Sequence, residues 1–313
     1  MTYKDVFSLK ALPRRLLVLG SGPIGAELAQ AFVRLGSEVV LVEAADRLLP
    51  MADPDASAVL WDRFMREGVE VFVRAPVDHV ERTGHGLALT AAGRRIEGDA
   101  LLVALGRRPH LDELNLERAG LAFTKDAISV DSNLRTSNPR IYAAGDAAGS
   151  LQFTHYAGWQ GYAATRNALF PGAMRGTRQG VPWVVFTDPE VAQVGLTDEE
   201  ARQRGWRTEV LRLPLERIDR AQTTRELDGF IKLVTRNDTL VGATVVAPAA
   251  GEVINELALA IQSKATLRQL SSTIHVYPTY GIGIQQLASQ ATIAGFVRGW
   301  QGRLARRLMR RST

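Results

Sequence analysis

The chain has no cysteine among its 313 residues. That excludes a disulfide, a thiolate metal site and a thiol nucleophile, and with them dithiol redox chemistry within this polypeptide. Long apolar runs are missing too: none approaches the roughly 18 residues of a membrane span. The opening, MTYKDVFSLKALPRR, lacks the apolar core of an export signal, so a cytoplasmic location is expected. The five histidines (79, 85, 110, 155 and 275) are scattered without i, i+3 or i+4 pairing, and no metal site is expected. Residues 291–313 hold no acid and six arginines, at 298, 303, 306, 307, 310 and 311. Removing those charges from the net +5 leaves −1 for the rest. A neutral body with one basic end argues against nucleic-acid binding, which needs basic residues recurring over the folded surface.

What is present is a globular pattern, 46% hydrophobic, of a length that suits about two domains. Arg15 to Leu19, Val39 to Val42, Val69 to Val73 and Leu101 to Leu105 are short, nearly continuous apolar runs, as in parallel strands buried on both faces. Helical patterns at 23–35 and 54–67 lie between them; Asp53-Pro54 is an N-cap followed by proline at the first helical position. The alternation implies right-handed crossovers and a doubly wound sheet. Residues 77–97, broken by Gly84, Gly86 and Gly93, read as an inserted antiparallel meander. PGAMRGTRQG, Pro171 to Gly180, is linker-like. Strands are expected beyond it at 181–186, 207–213, 230–235 and 240–246. The last two flank a hairpin-like turn at Arg236 to Thr239. Thr197 to Glu200 has capping-box spacing, and Gly251 to Lys264 has a helical period. This second half groups as a separate α+β domain. No internal repeat or low-complexity tract interrupts the order.

The motif with the most chemistry is Gly20-Ser21-Gly22-Pro23-Ile24-Gly25, set between a strand and a helix. Gly20 allows the tight turn, Gly22 lets backbone approach a pyrophosphate, and Gly25 permits close helix-strand packing. Amides opening the helix, aided by its dipole, suit phosphates. Glu43, eighteen residues beyond Gly25, stands where a carboxylate accepts hydrogen bonds from an adenosine ribose. That favours NAD over NADP, although the nearby Arg47 could accommodate a 2′-phosphate. Three glycines alone would mark only a turn; the strand, helix, second strand and terminal acid together specify a dinucleotide. A further strand is expected at Arg140 to Ala144, running into Gly145-Asp146 and placing a carboxylate at a strand's carboxyl end. Gly-Asp also suits an ordinary turn.

The fingerprint, Ala104 to Pro109 (ALGRRP), the AAGD stretch and Val181-Pro182-Trp183 through Thr187 to Gly195 together resemble one family. It is the flavin-dependent pyridine nucleotide-disulfide oxidoreductases, which include dihydrolipoamide dehydrogenase, glutathione reductase and mercuric reductase. Ile274 to Thr279, IHVYPT, is similar to the family's terminal active-site segment. The resemblance implies an α/β NAD(P)-binding domain with a doubly wound parallel sheet (1–110), a segment completing the FAD side (111–179) and a C-terminal α+β dimerisation domain (180–313). It implies NAD(P)H and FAD as cofactors and a homodimer. Gly20 to Gly25 would hold the nicotinamide cofactor's pyrophosphate, with Gly106 passing close to it. Glu27 matches an acid that faces a lysine beside the flavin, though it also suits an ordinary first-turn acid. Asp146 would bind the flavin's ribityl or phosphate region, with Gln152, Phe153, Thr154 and His155 lining the flavin. His155 is read as packing there rather than ligating.

The family's first third carries the flavin-ADP fingerprint, a C-x4-C pair and the lysine facing Glu27; none is in this chain, so Met1 is expected to be an internal or misassigned start. Tyr277 and Ile282 stand where the family has its proton-shuttling histidine and that histidine's glutamate. A tyrosine with an ordinary pKa near 10 is a poor shuttle at neutral pH. His275 is a second candidate, on Tyr277's face if the segment is extended. The expected function is hydride transfer from NAD(P)H to flavin and on to an unidentified acceptor. The alternatives are a non-catalytic NAD-binding dimerisation module, or half of a split flavoenzyme with a separate FAD-domain chain. Ile293, Phe296, Val297, Trp300, Leu304 and Leu308 form an apolar stripe ringed by arginines. It reads as a docked terminal helix with a solvated basic face, membrane-surface contact being the alternative.

Overall fold

The computed structural model describes residues 1–149, 151–177 and 180–299. Two compact units emerge: Met1–Leu105 together with the described residues from Pro182 onward, and Gly106–Val181. In the first unit, β1 (Arg15–Leu19) pairs in parallel with β2 (Glu38–Val42) on one side, with α1 (Pro23–Arg34) connecting them. Beyond β2, α2 (Pro54–Glu67) leads to β3 (Glu70–Phe72), and β7 (Ala100–Val103) flanks β1, giving the order β3-β2-β1-β7. The central strands justify their apolar runs: Leu16, Leu17 and Val18 are fully buried. The edge strands β3 and β7 are shorter than the runs at 69–73 and 101–105, because an edge has one ladder partner. Asp53 caps α2 by accepting from Asp55 N–H, and Gly68 at φ 87 closes it.

Between β3 and β7 lies the meander expected at 77–97, made of β4 (Val77–Thr83), β5 (Gly86–Ala91) and β6 (Arg94–Gly98). Its inner residues Leu89, Ala91 and Ile96 pack on Leu17, Val40 and Val42. The same unit continues with β8 (Trp183–Val185), β9 (Glu190–Gly195), α4 (Asp198–Gln203), β10 (Glu209–Pro214), α5 (Asp219–Thr224), β11 (Phe230–Arg236) and β12 (Thr239–Ala247). The strands form an antiparallel sheet in the order β10-β11-β12-β9-β8. Asn237 and Asp238 both have positive φ, the primed hairpin turn that the sequence marks between β11 and β12. Strand β9 was not assigned from sequence because Glu190 and Gln193 break its apolar run. Both are paired internally: Glu190 accepts from Gly251 N–H at 2.8 Å and Gln193 from Asp53 N–H at 3.1 Å. On this sheet pack α6 (Ala250–Gln262), α7 (Leu267–Ser272) and α8 (Ile282–Arg298) around a core including Leu213, Leu233, Val245, Leu257 and Ile284.

Polar contacts tie α1 and α2 to the part of this unit that holds the antiparallel sheet β8–β12. Gln30 exchanges two hydrogen bonds with the backbone of Asp188, both 2.7 Å. Arg34 bridges Glu67 and Asp188, and Arg63 and Arg66 both reach Asp228.

In Gly106–Val181 the strand expected at 140–144 is absent. The backbone there turns back on residues 131–136, with one isolated bridge between Arg135 and Tyr142. Thr136 N–H donates to Ile141 and Ala143 N–H to Leu134, so local turns use the groups a sheet would need. A short 3-10 turn, Gly145–Ala148, follows. The helix α3, Thr154–Leu169, was also not read from sequence, since Gly158 and Gly161 blur its period. The terminal stripe is helical through α8, but Ile293 and Phe296 are more than half exposed, so they do not dock on the described residues. Trp300, Leu304, Leu308 and the arginines from 303 to 311 lie outside the described residues.

Candidate dinucleotide site

Sequence turns into geometry first at Gly20, whose φ of +97° is unfavourable for other residues and whose added Cβ would lie 2.7 Å from Ala104 O. At Gly25 a Cβ would fall 1.9 Å from Gly20 O, so the helix can approach the strand only without a side chain. Gly22 is different: nothing lies within 4 Å of its missing Cβ, leaving open space before the helix. Pro23 occupies the first turn of α1 and no side chain caps that end. The ladder begins with Ala26 N–H donating to Gly22 O, so the amides of Ile24 and Gly25 precede it. A diphosphate approaching Gly22 meets uncapped amides at a positive helix end.

Glu43 leaves β2 beside this cradle. Its Oε2 accepts from Ser21 N–H at 2.8 Å and Ser21 Oγ at 2.7 Å, and its Oε1 accepts from Ala45 N–H at 2.8 Å. Partial burial alone would push this carboxyl up, but the hydrogen bonds from Ala45 and Ser21 outweigh it and hold it below the ordinary glutamate value. Ser21 is fully buried. Arg47 is directed elsewhere, with Nη2 donating to Pro50 O at 3.2 Å and Nη1 3.6 Å from Asp46.

Next to Glu43 opens a cavity of about 400 Å3, lined by Leu19, Ala44, Ala75, Pro76, Val77, Val80 and Leu105 together with the polar Asp78 and His79. Sequence reading missed these residues. Their signal was the Ala75-Pro76-Val77 exit from β3, where Ala75 N–H donates to Glu43 O at 2.9 Å. A flat aromatic ring fits a mostly apolar cavity of this size.

Glu27, on α1, accepts from Phe186 N–H at 2.8 Å, and burial raises its pKa. In the other unit, Gly106 has φ +115°. Arg107 Nη2 donates to Gln152 O at 2.5 Å, Gln152 Nε2 donates back to Arg107 O at 3.2 Å, and Asp146 lies 3.8 Å from Arg107. Phe153 precedes α3, Thr154 opens it, and the rings of Phe153 and His155 stack at 5.5 Å. Arg107 was not singled out from sequence, yet it brings Asp146 and Gln152 together.

The two terminal candidates part company. His275 turns inward to Glu256, Nε2 to Oε1 2.9 Å, whereas Tyr277 donates its hydroxyl proton to Asp219 Oδ2 at 2.8 Å. The segment is not a regular strand, so the alternation that would align the two side chains does not apply. Ile282 begins α8 and packs against the core of the antiparallel sheet.

Residues 1–161 match the family model for pyridine nucleotide-disulphide oxidoreductases, and residues 181–288 match that family's dimerisation domain. Dihydrolipoyl dehydrogenase of Chlamydia muridarum is 37% identical, covering 88% of this chain and 59% of that protein. Mercuric reductase of Bacillus cereus is 37% identical over 91% of this chain and 46% of its own length. Among solved structures, LpdA from Mycobacterium tuberculosis superposes with a TM-score of 0.87 at 36% identity, covering 93% of this chain and 64% of that one. The HOCl-induced flavoprotein disulfide reductase RclA from Escherichia coli gives 0.86 at 31% identity, covering 92% and 67%. This chain thus spans about half to three fifths of the curated relatives it resembles. It belongs to the pyridine nucleotide-disulphide oxidoreductase family.

Proposed function

We propose that this chain holds and orients NAD(P)H, with NAD favoured, as part of a flavin-dependent oxidoreductase that works as a homodimer. The observation that carries the reading is the open approach at Gly22 onto uncapped α1 amides, with an anionic Glu43 already fixed beside it. When bound, the nicotinamide would supply hydride chemistry and the flavin would relay it to a separate acceptor. The chain's own residues bind and orient. Ile24 and Gly25 amides face the diphosphate, Glu43 takes the adenosine ribose, and the cavity lined by Ala75 and Val77 takes the adenine. In the unit 106–181, Asp146 beside Arg107 suits a sugar hydroxyl of the flavin chain. Glu27, with its carboxyl raised by burial, suits a cationic neighbour.

No acid-base residue of the family's histidine type stands at Tyr277, whose phenol is held by Asp219. This favours an acceptor that needs no imidazolium proton donor at that position. Dimerisation is supported by the dimerisation domain over residues 181–288 and by the exposed Ile274 and Val276 on the segment before Tyr277.

Isothermal calorimetry with NADH and NADPH on the folded chain tests the reading. Heat with NADH, and more weakly with NADPH, is expected; no heat with either would end it. Light scattering at micromolar concentration tests the dimer, because an obligate interface of roughly 2,000 Å2 or more would leave no monomer peak.

A further inference from the structure

Ser21 occupies a position usually credited only to the shape of the glycine-rich turn, and its chemistry here points elsewhere. The residue is fully buried, so its hydroxyl cannot reach a ligand. Its carbonyl accepts from Leu49 N–H at 3.1 Å. Its amide and hydroxyl both donate to one oxygen, Oε2 of Glu43, at 2.8 and 2.7 Å. Recognition of a ribose hydroxyl therefore falls to Oε1, which Ala45 N–H orients from 2.8 Å.

We propose that Ser21 is a positioning residue for coenzyme choice: by clamping the Glu43 carboxylate it makes the site prefer NADH to NADPH. The inference rests on the assignment of Glu43 to the adenosine ribose. A free glutamate side chain can rotate away from an incoming 2′-phosphate and lose little beyond one hydroxyl contact. A clamped one cannot. It stays where a ribose hydroxyl is rewarded and a phosphate meets a like charge. Arg47, the cation nearest in sequence, is directed to Asp46 and Pro50 and does not neutralise it.

The test is a double-mutant cycle read by calorimetry on the full 313-residue chain, with Ser21→Ala, Glu43→Ala and the double variant against NADH and NADPH at one ionic strength. Ser21→Ala is expected to weaken NADH about 3- to 10-fold, below the roughly 10- to 100-fold scale of a full hydrogen bond to a charged group, because the Ser21 amide still holds Oε2. NADPH should change by less than about twofold, and Ser21→Ala should have no further effect once Glu43 is alanine. Equal loss for both coenzymes, or the same loss without Glu43, would overturn the inference, since either places Ser21 in the turn rather than behind Glu43. Wild-type protein that binds neither coenzyme overturns the coenzyme reading, and this inference with it. Wild-type preference for NADH left intact by Ser21→Ala overturns the inference alone. If the alanine variant does not fold, Ser21→Gly deletes the hydroxyl while keeping the amide. A carbon-13 titration of Glu43 in that variant should move upward from wild type; an unmoved titration would count against the clamp.

Discussion

The imidazole Nε2 of His275 lies 2.9 Å from Oε1 of Glu256, while its Nδ1 lies 3.0 Å from the carbonyl of Thr273. Both partners are oxygen acceptors, one on each side of the ring. The side chain is 7% exposed, although Ile274 and Val276 on either side are 93% and 76% exposed. His275 is thus an anchor that pins an exposed apolar segment to α6. Glu256 is partly exposed, so screening discounts the pair, and Glu256→Ala is expected to cost about 1 kcal/mol. His275→Ala, which also deletes a buried ring, should cost about 2 kcal/mol. Urea unfolding midpoints measure both; two unchanged midpoints would show that the anchor contributes nothing.

Lys232 joins β11 of the antiparallel sheet to the start of α2. Its Nζ lies 3.0 Å from Asp53 Oδ1 and 2.9 Å from Asp55 Oδ2, with 10% of the side chain exposed. Burial alone would lower its pKa, but the hydrogen bonds and charges of Asp53 and Asp55 push it above its ordinary value. A raised folded pKa means that this stabilisation is complete below the ordinary value near 10.5 and is lost as pH rises through the higher folded one. Lys232→Met leaves the buried Asp53 without its cation and should cost about 3 kcal/mol, the lower end for breaking such a pair because Asp55 stays hydrated. Chemical denaturation at neutral pH checks the size.

Tyr277 donates to Asp219, and that bond, with the carboxylate's charge, raises the phenol above its ordinary value of 10.0. The folded state keeps a proton that the unfolded chain releases, so stability from this contact is present below the ordinary value and fades as pH rises through the folded one. In an ultraviolet titration, Asp219→Asn should make Tyr277 ionise earlier than it does in the wild type. A Tyr277 ionisation that Asp219→Asn leaves unmoved would refute the contact.

Glu43→Ala should weaken NADH about 10- to 100-fold, the range for a hydrogen bond to a charged group, and NADPH much less. Equal losses in parallel titrations would remove the ribose assignment.

Much of this was readable along the chain. Gly20, Gly22 and Gly25 with Glu43 are close in sequence and serve one turn, so spacing was enough to group them. Asp53-Pro54 and Thr197 to Glu200 announced their helices because capping is local. Strand β9 was hidden because Glu190 and Gln193 look solvent-facing until Gly251 and Asp53 arrive as partners. Residues 140–144 looked like a strand because apolar content does not say whether a neighbouring strand exists.

The sequence by itself determined the parallel-sheet domain, the glycine cradle and the acid beyond it, since helix caps, turns and apolar periods act within a few residues. Only the tertiary structure decided that Ser21 spends its hydroxyl on Glu43, that Arg107 joins Asp146 to Gln152, and that His275 and Tyr277 face Glu256 and Asp219. Those pairings depend on which segments the sheets and helices bring within hydrogen-bonding or ion-pairing reach, some 2.5 to 3.8 Å here. Separation along the chain, as much as 58 residues for Tyr277 and Asp219, carries no trace of that reach.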